Sequence, residues 1–396
     1  MKYFAYLLNV RDRGADYIFQ MGRLFQEFCI FGRLAIDNSR LMYQLTHQKE
    51  LRAEKYCSLR RVWSFPLNNL GPPLCVFFIS PSRDEMRLRR REGMGVNEAV
   101  GRRIVLSPSF EGGKRKWNLR YHNGMAIVRR FRKPDIFLTY TFPPDTPELV
   151  VELRQGQSAQ VLQLCTTTQP NVYCQDRPDL VARLFEIKKN LLLKEIIHGG
   201  VFGKIVGYIC VVEYQEWTSY YSIFIWLTFF TYVSFAQKRG LPHLHFLGIL
   251  AAEDRLDTPE KIDAAISAEI PPDPMSYPPG PAREQAKLLE QAVLLFMVHG
   301  PCGDMNPKCV CMKEKACTKY YPKPFCPATI IDTDRSRPVY RRRSPQQGGR
   351  QVKIMRGGKE YMIDNSFIVP HSRMLLLRFW SHINVEICTS CGGIIY

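Results

Sequence analysis

Apolar residues recur at helical intervals near the start of the chain. Leu24, Phe25, Phe28 and Phe31 follow that spacing, as do Leu41, Leu45 and, more weakly, Leu51. Residues 1–65 therefore read as a helical region, extended by the charged, helix-favouring stretch Gln48 to Arg61. The pattern then breaks. Phe65 to Ser82 is interrupted by prolines and the pair Gly71-Pro72, and Arg87, Arg89, Arg90 and Arg91 follow almost together. Residues 66–97 read as a linker or degenerate segment with a solvated basic run.

From 98 to 290 the pattern alternates between two periods. Ile104 to Leu106 predicts a short strand, and Asn118 to Arg130 a helix with Met125, Ile127 and Val128 on its apolar side. Asp135 to Thr141 is β-branched and aromatic, which predicts a buried strand. Pro178 to Ile197 predicts a helix, Gly203 to Tyr214 a long apolar strand, and Phe246 to Leu250 another. Strands separated by helices, with short returns, predict an α+β fold: an antiparallel central sheet with flanking helices. Residues 291–330 form a small Cys-rich insertion. Residues 331–396 carry Arg341, Arg342 and Arg343, a turn at Gly357-Gly358, and the alternating run His382 to Ile387. No internal repeat interrupts this order.

Composition adds a partner class. The chain has 396 residues, 45% hydrophobic, and its 55 Lys plus Arg against 37 Asp plus Glu give a net charge of +18. It reads as globular, and the excess suggests a polyanionic partner such as nucleic acid. The opening MKYFAYLLNVRDRG lacks an apolar core followed by a small-residue cleavage site, so the 13 cysteines are expected to be reduced thiols. Residues 217–236 carry no charge and are long enough for a membrane span. Their six Ser and Thr residues and their place within the sheet favour a lineage insertion or translated non-coding sequence instead.

Two places carry candidate chemistry. In His243-Leu244-His245 the histidines are two apart, which on a strand points both imidazoles to one face. That is half of a divalent metal site, or else two ordinary histidines on a half-buried strand. His299, Cys302, Cys309, Cys311 and Cys317 lie close in sequence and suit a structural zinc, or else a loop held by ordinary packing. Cys388-x-x-Cys391 has no partner pair nearby and reads as incidental. Lys114, Arg115, Lys116, Trp117, Arg120, Arg129, Arg130, Lys238, Arg239 and Arg341 to Arg343 are candidate DNA contacts as a group, with Trp117 or Tyr121 able to stack on an unpaired base.

The stretch QKRGLPHLHFLGIL resembles the HUH motif of Helitron transposases. THQKELRAEKYCSLRR, NGMAIVRRFRKPDIFLTYTF, DRPDLVARLFEIKKNLL, VFGKIVGYICVVEYQ, TPEKIDAAISAEIPP, FMVHGPCG, CTKYYPKPF, PVYRRR and HINVEIC follow in the same order as in that family. The resemblance implies an HUH replication-initiator (Rep-like) nuclease fold and nicking of single-stranded DNA by a tyrosine. It implies a divalent ion, Mg or Mn, at His243 and His245, with Glu213, Gln215 or Gln237 as third ligand. It also implies His299, Cys302, Cys311 and Cys317 as the matched metal pattern, with Cys309 an extra that could replace His299. No small-molecule cofactor is implied, and the location implied is nuclear. Tyr396 falls where the first of two family tyrosines would stand. The second tyrosine and the helicase half, with its G-x-x-x-x-G-K-[ST] loop, do not occur in this sequence. The expectation is an impaired nuclease, or a non-catalytic DNA-binding remnant. Phe142 to Thr146 departs from the family's turn, and residues 216–236 separate Glu213 from the histidines in sequence, which puts that third ligand in doubt.

Overall fold

The computed structural model describes residues 6–8, 17–51, 105–111, 113–143, 146–152, 162–166, 169–174, 177–214, 241–332 and 337–389. They fall into two compact units, one of Met1–Asn9 with Cys29–His122 and one of Val10–Phe28 with Asn123–Tyr396.

Helix α1 (Arg23–Thr46) realises the early helical spacing. Its stripe is only partly inward: Phe25 is fully buried, but Leu24 and Phe31 are 57% and 66% exposed. Val105 and Leu106 are not in a strand. Side chains hold the main chain of this segment instead. Gln48 accepts from Val105 N at 2.7 Å and donates to Val105 O at 2.8 Å, and Gln44 accepts from Ser107 N. A segment whose polar groups are already paired needs no neighbouring strand. Helix α2 (Lys114–Phe131) follows and has no buried residue.

The second unit is built on one antiparallel sheet. In chain order its elements begin with β1 (Ile136–Thr141), α3 (Pro147–Glu152), β2 (Leu162–Thr166), β3 (Gln169–Cys174), α4 (Pro178–His198), β4 (Ile205–Tyr214) and β5 (Pro242–Leu250). Then come α5 (Pro259–Ala265), α6 (Pro281–Phe296), β6 (Met312–Lys313), β7 (Ala316–Cys317), β8 (Gln351–Arg356), β9 (Lys359–Asp364), α7 (Arg373–Phe379) and β10 (Ile383–Ile387). The sheet order is β10-β1-β5-β4, every pair antiparallel. The chain is thus α+β, as its alternating periods predict. Strand β5 starts at Pro242, so it contains both histidines rather than beginning after them.

The sheet's two faces differ. Ile136, Leu138, Tyr140, Leu244, Phe246, Ile383 and Val385 turn into one core and are fully buried. Helix α4 covers them with Leu180, Val181, Phe185, Leu192 and Ile196, spaced to share one stripe. Pro178 opens α4 where its missing N–H costs nothing, and Gly199 and Gly200 close it. Each such side chain contributes roughly 1.5–3 kcal/mol on burial. The opposite face carries Thr139, Thr141, His243, His245, Val211 and Glu213, by the period of two. A second core joins α6, α7 and the β8–β9 hairpin to the Cys-rich loop, through Val293, Met297, Ile363, Leu376, Cys302 and Cys317.

Candidate functional site

Register builds the site on the sheet. Thr141, His243 and Glu213 stand in one row across β1, β5 and β4, and Thr139, His245 and Val211 in the next. Buried Leu244 between the histidines anchors β5 in the core, so both imidazoles emerge on the other face. Thr141 Oγ1 lies 2.8 Å from His243 Nδ1, and Thr139 Oγ1 lies 3.2 Å from His245 Nδ1. Each ring is therefore oriented through Nδ1, the arrangement that leaves Nε2 as the ligating nitrogen of a metal-binding histidine. His245 Nε2–H donates to Glu213 Oε1 at 2.5 Å, and its ring stacks on Phe137 with centroids 5.7 Å apart.

The residues 216–236 do not part Glu213 from the pair, since β4 and β5 are paired from Ile205↔Leu250 to Tyr214↔Pro242. Gln215, Gln237, Lys238, Arg239, residues 216–236, Cys391 and Tyr396 lie outside the described residues.

The histidines open on a cavity of about 400 Å³. On the sheet side it is lined by Thr139, Thr141, Glu213, His243 and His245, with His382 next to Thr141, whose N–H donates to His382 O at 3.0 Å; Phe296 and Arg356 line it as well. His382 Nδ1–H donates to Phe296 O at 2.7 Å. Arg356 Nη2 donates to Leu294 O and Leu295 O at 3.2 and 3.3 Å. Thr139, Thr141, Arg356 and His382 did not stand out in the sequence. The Thr-x-Thr alternation of FLTYT was a readable signal for the first two. The others depend on contacts between distant segments.

The Cys-rich loop forms a second, different centre. One donor atom each from His299, Cys302, Cys311 and Cys317 lies within 4.8 Å of the others, so the group can hold a metal ion. Cys311 directly precedes the small β6–β7 hairpin and Cys317 ends it, and its turn residues Glu314 and Lys315 both have positive φ (49° and 64°). Cys309 is outside the group of four, with its Sγ accepting from Cys311 Sγ at 3.6 Å. His299 stacks on Tyr321 at 4.1 Å, and burial, helped by Lys323 and Lys319, holds it down to about 4. Burial pushes Cys302 up to about 11 and raises Cys311 as well. At Cys317 burial acts the same way, but the backbone N–H groups of Tyr321 and Lys319 together with hydrogen bonds from Cys311 and Cys302 outweigh it, and the thiol lies below its ordinary value. Three thiols in one small space resist joint ionisation unless a cation sits among them, and a neutral imidazole is the form that ligates. Among the described residues Cys29, Cys210, Cys302, Cys309, Cys311, Cys317, Cys326 and Cys388 are free thiols.

The basic candidates divide. Trp117 is 52% exposed with Arg120 over its ring at 5.8 Å, and Arg115 also donates to Leu106 O. Lys116 and Arg120 pair with Glu111. Arg342 is corrected as a DNA contact: it is 4% exposed, and its Nη1 donates to the carbonyls of Ala268, Asn365 and Ile368. Arg343 forks onto Glu269 at 2.7–3.3 Å, and Arg341 pairs with Asp263 and Glu269. Folding uses this basic triplet to tie the strand-like run 339–343 to residues 263–269. Among the described residues no helix is long and apolar enough to cross a membrane.

No curated protein matches the chain. The family described as "Helitron helicase-like domain at N-terminus" matches residues 3–219, more than half of the sequence. The match reaches through Glu213 at the end of β4, while His243, His245 and the Cys/His group stand beyond it. With its α+β fold, its antiparallel sheet and this match, the chain belongs to the Helitron helicase-like N-terminal domain family and has a Helitron transposase-related role.

Proposed function

We propose that the chain is a replication-initiator module that binds single-stranded DNA and cuts it by attack of a tyrosine at the His243–His245 face. The observation that carries this reading is the row Thr141–His243–Glu213 beside Thr139–His245, with both imidazoles oriented through Nδ1 and facing one cavity. Two imidazoles and a carboxylate are a donor set for a divalent ion such as Mn or Mg. His243, His245 and Glu213 would hold it, and when bound it would supply charge neutralisation at a scissile phosphate. The chain's own groups do the rest. Thr139 and Thr141 keep the imidazoles in place, and the cavity seats the strand. Tyr396 is the proposed nucleophile. Its hydroxyl gives up its proton as the oxygen forms a bond to phosphorus, the bond to the 3′ oxygen breaks, and that oxygen takes up a proton. A phenol with an ordinary pKa near 10 needs such help near neutral pH.

Zinc is the ion proposed for His299, Cys302, Cys311 and Cys317, because a three-sulfur, one-nitrogen set, with Cys302 and Cys317 buried and the other two half-buried, suits closed tetrahedral sites. The exposed, basic start of α2, with Lys114, Arg115, Lys116, Trp117 and Arg120, is proposed as a DNA-contacting surface of its own unit, and Lys238 and Arg239 as contacts by their sequence. A nuclear location follows from the DNA substrate.

The test is cleavage of a labelled single-stranded oligonucleotide with Mn²⁺ or Mg²⁺. We expect a covalent protein–DNA product, lost in His243→Ala and Tyr396→Phe. Salt-sensitive binding without any cut strand would leave a DNA-binding module and overturn the nuclease reading.

A further inference from the structure

The cavity at the histidines has further lining that the proposed chemistry leaves unused. That lining is the end of α6 with Arg356 against it, tied to the sheet by His382, whose O accepts from Thr141 N and whose ring donates to Phe296 O. Arg356 is the last residue of β8, and the next two, Gly357 and Gly358, have φ of 58° and 75°. Left-handed conformation at both central positions makes a tight two-residue hairpin turn, which glycine permits without strain. The turn thus fixes where β8 ends and which residue stands there.

Three consecutive carbonyls of the last turn of α6 are engaged here. Leu294 O and Leu295 O accept from Arg356, and Phe296 O accepts from His382. A helix end leaves such carbonyls unpaired and favours cations beside them. This accounts for the stability of the arrangement but not for its location. Arg356 is the guanidinium among the described residues lining a cavity whose sheet side holds two histidines and a carboxylate. A guanidinium keeps its charge at any working pH and matches phosphate geometry. Its hold on two main-chain carbonyls limits how far its plane can swing.

We infer that Arg356 is a phosphate clamp, a positioning residue that receives the backbone phosphate of a single strand seated in that cavity. His382 holds the end of α6 against which Arg356 is set. This rests on the proposed function, in that the same cavity must take the strand.

Binding of a fluorescein-labelled oligothymidylate, followed by anisotropy over a range of salt, tests it. For Arg356→Gln the affinity is expected to fall about tenfold, and the slope of log affinity on log salt to shrink by about 0.7, the loss of one phosphate contact on a single strand. Arg356→Lys, which keeps the charge, should restore most of the slope. A purely structural cap would lower the melting temperature and leave the slope unchanged, and that result overturns the clamp. If Arg356→Gln does not fold, phenylglyoxal modification of the unaltered protein decides. The oligonucleotide should protect Arg356, and modification undiminished in the bound complex overturns the inference. Failure of the unaltered protein to bind the oligonucleotide at all would instead remove the proposed function.

Discussion

The two candidate metal centres are built on opposite plans. The sheet site draws its donors from two paired strands, His243 and His245 on β5 and Glu213 on β4, and Glu213 is 53% exposed in its side chain. The loop site gathers His299, Cys302, Cys311 and Cys317 from one stretch of chain, with Cys302 and Cys317 buried in the second core. In the first, the fold exists without the ion: hydrogen-bonded register sets the spacing, and packing of Leu244 and Phe246 sets the direction. In the second, little secondary structure holds the ligands, beyond the short β6–β7 hairpin. An open site on a rigid sheet suits chemistry, and a closed site in a loop suits folding.

The largest expected effect separates these plans directly. Chelation of the loop metal, or Cys317→Ser, should strongly destabilise the region around the second core, since such sites hold on the order of 10 kcal/mol of binding free energy. Loss of bound metal by elemental analysis together with a large fall in the thermal transition of a still-folded protein is the expected result. An unchanged transition after complete stripping would erase the contrast. Leu244→Ala should come next, at roughly 3 kcal/mol from the cavity left in the sheet core. Denaturant unfolding measures it, and Mn²⁺ affinity should fall with it, because the same residue aims both imidazoles.

Acid should affect the metal-stripped loop more gently. Burial holds folded His299 to about 4, below the unfolded value near 6.5, so the unfolded chain takes up the proton first as pH falls. The stability it contributes is complete above about pH 6.5 and is lost toward pH 4. About 2 kcal/mol is expected, less than the full shift implies, because the ring is only partly buried and water screens it. His299→Gln should flatten that slope in a pH series of unfolding curves. Smallest is Thr141→Val, which removes the hydroxyl beside His243 Nδ1. Mn²⁺ affinity should drop about tenfold, read by electron paramagnetic resonance, with the melting temperature nearly unmoved.

Legibility in the sequence followed the same division. Strands β1, β4 and β5 and helix α4 were readable because each has one period and one buried face. His243 and His245 were readable for that reason, since a spacing of two on a strand has one structural meaning. The family resemblance already set His299, Cys302, Cys311 and Cys317 apart from the extra Cys309, but whether Cys309 replaces His299 was open, because loop geometry depends on the left-handed turn at Glu314-Lys315. That turn lacks the Asn-Gly or Asp-Gly signature. Charge alone misplaced Arg342, since a buried guanidinium serving three carbonyls reads the same in sequence as a solvated one.

The pairing Tyr214↔Pro242 has a further consequence. Its two residues stand opposite one another at the end of the ladder, so a short turn could join β4 to β5 there. Loop-closure entropy grows only as the logarithm of length. Exchanging residues 215–240 for a short turn that keeps buried Leu241 would change that entropy by only about 2 kcal/mol. The end of this ladder is thus a port at which chain can be added or removed at low thermodynamic cost, beside the strands that carry Glu213 and the histidines.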